Sequence, residues 1–199
     1  MFRQLNDIID NEIKEPNLDF YSVIVGTKPS EGARSPKLWN KVYEYEEKKI
    51  RMVPLDVEEG KVEQLFNYLK QDKHCLGGAV AVPFKETVFN LIKDNVEEEI
   101  KAIGAVNCFH RPANGLLIDD FTGTNTDGEA AIEPIKKQLT ESQNLNIGLL
   151  GYGGAGKAIL AFLLRDFKRK HKIQIFNRSP ISIKDSKKCD LYSYSLNHL

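Results

Sequence analysis

The sequence predicts an α/β protein in which a larger, mostly parallel sheet domain precedes a shorter strand–helix–strand domain. Strand-like and helix-like segments alternate through the first half of the chain, which favours parallel strands connected by helices. A glycine-rich loop stands between a strand and a helix near residue 151. The chain has 199 residues, 41% of them hydrophobic, which is sufficient for two small domains with apolar cores.

The elements of the first domain follow from the spacing of apolar residues. An amphipathic helix is expected over Phe2–Ile13. Ser35-Pro36 predicts the start of another helix, which continues to Tyr45, because proline favours the first helical turn. The remaining segments are a strand at 20–25, a strand at 50–57, a helix at 62–69, a strand at 76–82 and a helix at 87–92. The resulting β-α-β-α-β-α order predicts a parallel sheet covered by helices.

Shorter elements lead to a domain boundary. Two strands are predicted at 105–109 and 116–119, joined by a turn at 112–115, and a helix follows from Gly128 to about Leu139. The polar stretch after this helix places the boundary between residues 1–143 and 144–199. The second domain then contains a strand at 145–150, a helix at 154–167, a strand at 172–176 and the start of a third strand near 190–196.

The charges cancel over the whole chain but not within its parts. The 28 basic and 28 acidic residues give a net charge of zero, which predicts neither a nucleic-acid nor a membrane partner. Residues 1–144 carry −7 and residues 145–199 carry +7, so the second part suits an anionic ligand. No apolar run is long enough to span a membrane. The three cysteines are widely spaced, so we expect no metal site, no disulfide framework and a cytoplasmic location.

The glycine-rich loop predicts a dinucleotide site. Gly151, Gly153 and Gly156 fit the pattern G-x-G-x-x-G between a predicted strand and a predicted helix. Such glycines provide a tight turn, close approach of the backbone to a pyrophosphate, and close helix–strand packing. The helix N-terminus then faces the phosphates. A tight strand–helix turn with no ligand is the structural alternative.

The same loop partly matches a mononucleotide-binding P-loop. Gly156-Lys157 fits that pattern, but Ala158 stands where a hydroxyl should hold magnesium. The next predicted strand ends in Asn177-Arg178-Ser179, without the acidic residue typical of NAD sites. Since an arginine at this place suits the 2′-phosphate of NADP, we favour NADP as the cofactor.

A lysine and an aspartate in the first domain are candidate catalytic residues. A dehydrogenase needs a group that moves the proton of the substrate hydroxyl while hydride is transferred. Lys85 follows a predicted strand and is suited to this role, and Asp127 is suited to hold it by a charge-assisted hydrogen bond. The alternatives are that Lys85 is a solvated surface charge and that Asp127 caps its helix.

Five short motifs occur in a fixed order between about residues 22 and 179. The matching segments are Val80, Pro83 and Lys85 for N-V-T-x-P-x-K; Gly104–Asn107 for G-A-V-N; Asn125–Gly128 for N-T-D-G; Gly151–Ala158 for G-x-G-G-A-x-x-A; and Asn177–Ser179 for N-R-[ST]. In these motifs the chain resembles the shikimate/quinate dehydrogenase family. The resemblance implies a substrate domain followed by a Rossmann-like NADP-binding domain.

The resemblance also implies site residues and a reaction. Lys85 and Asp127 would form the catalytic pair, and Ser35 and Asn107 would contact the substrate. The residues implied in NADP binding are Gly151, Gly153, Gly154, Ala155, Gly156, Asn177, Arg178 and Ser179. The implied reaction is the interconversion of 3-dehydroshikimate and shikimate, or of a related cyclic acid such as quinate, in the pathway to chorismate and the aromatic amino acids. Whether the protein forms a homodimer stays open.

The departures from the family pattern concern the substrate pocket and the end of the chain. Ala33, Ala79 and Ala81 replace a serine, an asparagine and a threonine of the family motifs. The strand end N-A-T-P and the last helix of the family do not follow, so we expect an incomplete NADP domain, either in a fragment or in a naturally shortened protein. A catalytically weak module that binds a shikimate-like acid is therefore the alternative to an enzyme, and a P-loop phosphotransferase is a more distant one.

Overall fold

The computed structural model describes residues 2–14, 18–112, 120–142, 144–167, 171–178 and 191–195. The chain divides into two compact units, Met1–Thr124 and Asn125–Leu199. The boundary expected from the sequence lies later, between residues 143 and 144. The polar stretch is the clearest break in the sequence, but the helical residues before it pack within the second unit, as described below.

The first unit contains five strands and six helices among its described residues. The strands are β1 (Phe20–Gly26), β2 (Ile50–Asp56), β3 (Cys75–Val80), β4 (Cys108–His110) and β5 (Thr122–Thr124). The helices are α1 (Arg3–Asn6), α2 (Pro29–Gly32), α3 (Ser35–Tyr45), α4 (Val62–Gln71), α5 (Lys85–Ile92) and α6 (Glu98–Ile103). The predicted β-α-β-α-β-α order is therefore confirmed, and α2 and α6 are additional short helices.

The five strands form one mixed sheet in the order β2-β1-β3-β4-β5. The pairs β1–β2 and β1–β3 are parallel, and β4 and β5 add as antiparallel strands. The core lies between this sheet and its helices, where the rings of Phe66, Phe109 and Phe121 pack with centroids 4.8 to 6.4 Å apart. The strand predicted at 116–119 lies outside the described residues. Because β1 and β3 are adjacent and parallel, their carboxyl ends meet at one edge of the sheet.

The apolar side chains of the N-terminal segment are buried, but the segment is not one continuous helix. The prediction of a helix over Phe2–Ile13 is wrong beyond Asn6, where α1 ends. The Asn6 side chain accepts the Ile13 N–H at 3.1 Å and donates to the Ile13 carbonyl at 3.3 Å, which closes a loop. The Asp10 N–H also donates to the Asp56 carbonyl at 2.8 Å, so the backbone leaves the helical path to reach β2.

The exposed edge of β2 is covered by two asparagine side chains. Asn40 of α3 donates to the Met52 carbonyl at 3.1 Å and accepts the Met52 N–H at 2.7 Å. Asn11 does the same for the Pro54 carbonyl at 2.9 Å and the Asp56 N–H at 2.7 Å. Since an edge strand with unpaired backbone groups invites pairing with another strand, these two amides protect the sheet from it.

The described part of the second unit contains three strands and three helices. They are α7 (Asp127–Ile132), α8 (Lys136–Glu141), β6 (Asn146–Leu150), α9 (Gly154–Asp166), β7 (Lys172–Asn177) and β8 (Leu191–Ser195). The strands are parallel in the order β6-β7-β8, so the predicted strand–helix–strand unit and third strand are confirmed. The single helix predicted over 128–139 is instead α7 and α8, with a 3-10 turn at Glu133–Ile135 between them. Pro134 in this turn lacks the N–H that a continuous helix requires.

Helix α7 belongs to the second unit because it packs closely on α9. A Cβ added to Gly128 would lie 2.4 Å from Phe162 and 2.5 Å from the Ala158 carbonyl, so only glycine permits this approach. Among the described residues, none of the helices has the length and apolar composition of a transmembrane segment.

Candidate active site

The carboxyl edge of β1 and β3 forms the first part of the candidate site. The Ala81 N–H donates to the Val25 carbonyl at 2.8 Å, and the Phe84 N–H closes a turn onto the Ala81 carbonyl at 3.1 Å. Phe84 is fully buried and anchors this turn, in which the Val82-Pro83 peptide bond is cis. The turn therefore delivers the chain to the first residue of α5, Lys85, at this edge of the sheet.

Lys85 and Asn107, which the sequence assigns to the site, are brought together by backbone hydrogen bonds. The Lys85 carbonyl accepts the Val106 N–H at 3.0 Å, and the Asn107 carbonyl accepts the Val80 N–H at 2.8 Å. The Asn107 N–H donates to the Thr124 carbonyl at 3.1 Å. The side chains of Lys85 and Asn107 are both half-buried, which suits groups that contact a ligand.

The G-A-V-N segment has a clear structural reason. Helix α6 ends at Gly104, whose φ of 70° is left-handed and favours glycine. Ala105 and Val106 then enter the core with no exposed surface. This burial fixes the position of Asn107 at the edge of the sheet.

Ser35 lies at the start of α3, beyond the loop that follows β1. The loop is held by Asp56, an 8% exposed carboxylate at the end of β2. Asp56 accepts the Ser30 N–H at 2.9 Å and also the Ser30 hydroxyl. The Val57 N–H donates to the Gly26 carbonyl at 3.0 Å and ties the same loop to β2. Asp56 was not among the residues predicted from the sequence, although a carboxylate at the end of an apolar strand is a signal for such a role.

Asp127 lies in the second unit, at the first position of α7. Its N–H donates to the Asn125 Oδ1 at 3.1 Å, and Asn125 is only 4% exposed. The N-cap of α7 is Thr126, so Asp127 is not the N-cap residue that the structural alternative required. Because Lys85 and Asp127 belong to different units, their pairing stays a prediction.

The glycine loop in the second unit has the geometry expected of a phosphate-binding turn. Gly151 has a φ of 93°, and its N–H donates to the Phe176 carbonyl at 2.7 Å. A Cβ added to Gly156 would lie 2.2 Å from the Gly151 carbonyl, so the helix approaches the strand closely. Cβ atoms added to Gly151 and Gly153 would meet nothing within 4 Å, which leaves open space in front of the loop.

The N-terminus of α9 directly follows this loop. Gly154 begins the helix, Gly153 is its N-cap, and no side chain caps it among the described residues. The first N–H groups of a helix have no partner within the helix and carry a partial positive charge. Ala155 is exposed in this first turn. The loop and helix therefore offer backbone donors and room for a phosphate group.

The end of β7 supplies the remaining predicted cofactor residues. The Asn177 Oδ1 accepts the Tyr152 N–H at 3.1 Å, so this asparagine holds the glycine loop against β7. Arg178 follows directly and is exposed at the same end of the strand. Ser179, the third residue of this predicted group, lies outside the described residues.

The structure gives no support to the P-loop alternative. Ala158, at the position where a P-loop hydroxyl would hold magnesium, has no exposed surface and its backbone contacts α7. In the described ranges no group of three or more His, Cys, Asp or Glu side chains could hold a metal ion.

A cavity of about 460 Å³ lined by Gln4, Tyr68, Gln71, Asp72 and His74 lies at the opposite end of β3 from Lys85.

The fold and these residues define a class of α/β proteins that consist of two units. Its first unit presents polar side chains at the carboxyl edge of a sheet, and its second unit carries a dinucleotide-type glycine loop. Comparison with known proteins identifies the family. Residues 24–109 match the model of the shikimate dehydrogenase substrate binding domain.

Curated relatives agree with this match. An NADP(+) shikimate dehydrogenase of Methanosphaera stadtmanae is 34% identical over 153 residues, which are 76% of this chain and 50% of the relative. One of Shewanella woodyi is 36% identical over 103 residues, 52% of this chain and 35% of the relative. The chain thus spans at most about half the length of these two relatives.

Solved structures show the same fold. Shikimate dehydrogenase of Aquifex aeolicus is similar with a TM-score of 0.72 at 27% identity, over 92% of this chain and 65% of that one. The Thermus thermophilus enzyme in complex with NADP(H) and shikimate has a TM-score of 0.69 at 20% identity, over 89% of this chain and 63% of that one. The chain belongs to the shikimate dehydrogenase family.

Proposed function

We propose that this chain provides the substrate-binding domain and part of the cofactor-binding domain of an NADP-dependent shikimate dehydrogenase. The reaction is the interconversion of 3-dehydroshikimate and shikimate, or of a closely related cyclic hydroxy acid such as quinate. The observation that carries the proposal is the position of Lys85, at the start of α5 and directly beyond the carboxyl end of β3. This position lies inside the matched substrate-binding region.

Lys85 is proposed to manage the proton of the reaction. In the direction of reduction its ammonium donates a hydrogen bond to the ketone oxygen and then transfers a proton to it, giving the hydroxyl. In the reverse direction the neutral amine accepts that proton. The proposed role of Asp127 is to hold the lysine by a charge-assisted hydrogen bond. The chemistry that NADP supplies when bound is hydride transfer at the ring carbon.

Two further residues are proposed to orient the ring of the substrate. The Asn107 amide has donors and an acceptor for ring hydroxyls, and the Ser35 hydroxyl suits the carboxylate. Ala33, Ala79 and Ala81 offer no hydrogen bonds, and each polar partner absent from a site built for hydroxyls costs about 1–3 kcal/mol. We assign the substrate class as a cyclic hydroxy acid. Because the three alanines remove hydrogen bonds that would select one acid, shikimate and quinate are compared in the test below.

The second unit is proposed to hold NADP. The open space before Gly151 and Gly153 and the uncapped start of α9 fit a pyrophosphate. The exposed Arg178 fits the 2′-phosphate, which distinguishes NADP from NAD. We assign the protein to the reducing cytoplasm, where the thiol of Cys75 stays reduced.

The test is a spectrophotometric assay of NADPH formation with purified chain, NADP and either shikimate or quinate. We expect turnover with at least one acid, and its loss in Lys85→Ala. The matched control is Lys93→Ala, an exposed lysine just beyond the other end of α5, which should keep wild-type activity. Binding of either acid without turnover would instead assign a ligand-binding module and contradict an enzyme in this chain.

A further inference from the structure

The N-terminal segment, residues 2–14, precedes the first strand and packs on the first unit. Its large apolar side chains are at most 8% exposed; they are Phe2, Leu5, Ile8, Ile9 and Ile13. The Phe2 ring meets the ring of Tyr21 in β1 edge to face, with centroids 5.1 Å apart. The region that matches the substrate-binding family model begins at residue 24, so this segment lies outside the matched region.

The last residue of β2, Asp56, is bonded to the N-terminal segment through its backbone. It pairs in register with Gly26 of β1, but its own N–H and carbonyl face the N-terminal segment. The N–H donates to the Asn11 Oδ1 at 2.7 Å, and the carbonyl accepts the Asp10 N–H at 2.8 Å. Asn11 also donates to the Pro54 carbonyl at 2.9 Å. These three hydrogen bonds fix the end of β2 to a buried segment.

The side chain of Asp56 transmits this restraint to the loop between β1 and α3, residues 27–34. The carboxylate is 8% exposed and accepts both the N–H and the hydroxyl of Ser30, in the first turn of α2. Only two residues separate the end of α2, at Gly32, from Ser35 at the start of α3. A restraint on Ser30 therefore limits the positions that Ser35 can occupy.

Other restraints on this loop are few. Pro29 is buried, so apolar packing holds one point of α2. Among the described residues, the remaining hydrogen bonds of the loop stay within it or lead into α3, such as the Ala33 N–H to the Pro29 carbonyl at 3.0 Å. Without Asp56, the loop would be free to adopt other positions. A loop that is fixed before a ligand arrives loses less conformational freedom on binding, which increases affinity.

We propose that the N-terminal segment positions the substrate-binding loop through Asp56, so that Asn11 and Asp56 are positioning residues for the cyclic acid. The inference rests on the proposed contact of Ser35 with the substrate. Asn11 fixes the backbone of Asp56, the Asp56 carboxylate fixes α2, and α2 fixes the start of α3. Neither residue touches the acid or takes part in proton transfer, and both act on affinity alone.

The first test needs no ligand and measures amide hydrogen exchange of the free protein in peptides that cover residues 27–35. In Asn11→Ala and in Asp56→Ala, the loop amides should exchange roughly tenfold faster than in the wild type. Asp56→Asn should stay close to the wild type, because its side chain still accepts the Ser30 N–H and can donate to the Ser30 hydroxyl. The control is Tyr21→Phe, which removes a buried hydrogen bond at the other end of β1 and should leave the loop unchanged. Unaltered loop exchange in Asn11→Ala would overturn the proposal.

The second test is calorimetric titration of the same variants with shikimate and with quinate. Asn11→Ala and Asp56→Ala should each raise the Kd of the bound acid by roughly fivefold to tenfold, whereas Asp56→Asn and Tyr21→Phe should not. Because Asn11 acts through Asp56, the double alanine variant should bind like Asp56→Ala alone. Losses that add in the double variant would overturn the route through Asp56. A wild type that binds neither acid would contradict the proposed function instead, and the exchange rates of the loop would then decide the positioning role on their own.

Discussion

At the residue scale, the candidate site depends on a few buried or hydrogen-bonded residues that position half-buried and exposed ones. Phe84 anchors the turn before Lys85, Val106 fixes Asn107, and Asn177 holds the glycine loop. Lys85 and Arg178 were predicted from their places after strands, and Asn107 from the family resemblance, and their roles in the site stay predictions. Asp56 could not be predicted in this way, because a single carboxylate at the end of a strand is common in loops of many kinds. Only the fold shows that it holds the segment before Ser35.

The first prediction concerns the proton-transfer role of Lys85. Lys85→Met keeps much of the side-chain volume and removes the ammonium, so kcat should fall by about 10²–10⁴-fold. Since Lys85 is half-buried at a helix start, the fold should be retained. The measurement is steady-state kinetics with the better of the two acids, with circular dichroism as the check on folding. A folded Lys85→Met variant with unchanged kcat would contradict the assignment.

The second prediction concerns the choice of cofactor. Arg178→Ala should weaken NADP binding by about tenfold or more and leave NAD binding unchanged, because a charge-assisted hydrogen bond to the 2′-phosphate is lost. Equilibrium titration with both nucleotides measures the ratio. Lys172→Ala removes an exposed charge at the other end of β7 and is the control. Equal losses for NADP and NAD would show that Arg178 does not recognise the 2′-phosphate.

The third prediction concerns the alkaline stability of the first unit. Burial raises the pKa of the Cys75 thiol to about 12, against an ordinary value of 9.0, and burial also raises the pKa of the Tyr21 phenol. The folded protein therefore keeps protons that the unfolded chain loses. The free energy of unfolding should be steady below about pH 9 and then fall by about 1.4 kcal/mol per pH unit because of the thiol. The phenol adds a similar slope above about pH 10.

Cys75→Ala separates the thiol from other alkaline effects. The variant lacks the thiol contribution, so its free energy of unfolding should fall less steeply above about pH 9 than that of the wild type. Urea unfolding at a series of pH values provides both slopes. Parallel slopes for the two proteins would contradict the raised pKa of Cys75.

At the element scale, apolar periodicity predicted the longer helices and central strands but not where short elements end. The helix expected from Phe2 stops at Asn6 because the Asn6 side chain and β2 compete for the backbone groups that follow. The helix expected over 128–139 is interrupted at Pro134. Helices α2 and α6 have four and six residues, too few for a periodic pattern. The positions at which these short elements end depend on tertiary hydrogen bonds.

The fourth prediction concerns the protected edge of β2. Asn40→Ala leaves the N–H and carbonyl of Met52 without their partner, so the free energy of unfolding should fall by about 1–3 kcal/mol. Asn67→Ala on the exposed side of α4 should cause no loss, because alanine has the higher helix propensity. Urea unfolding of both variants measures the difference. Equal stabilities would show that the Asn40 amide does not hold the edge.

At the scale of the whole molecule, the sequence predicted the fold class and the order of the two parts. It placed their boundary 19 residues later than the division of the compact units, because a polar stretch is visible in a sequence and packing by Gly128 is not. The neutral total charge conceals an acidic first part and a basic second part. That asymmetry agrees with the proposed binding of an anionic cofactor beside α9 and Arg178.

Residues 24–109 are proposed to lie in a domain that binds a shikimate-like acid, with Ser35 and Lys85 in contact with it. Calorimetric titration of the purified chain with shikimate and with quinate tests this most directly. We predict saturable binding of at least one acid, weakened by roughly tenfold or more in Ser35→Ala and in Lys85→Ala, and unchanged in Lys93→Ala. No binding of either acid, or binding that neither Ser35→Ala nor Lys85→Ala alters, would show that this domain does not bind such an acid through these residues.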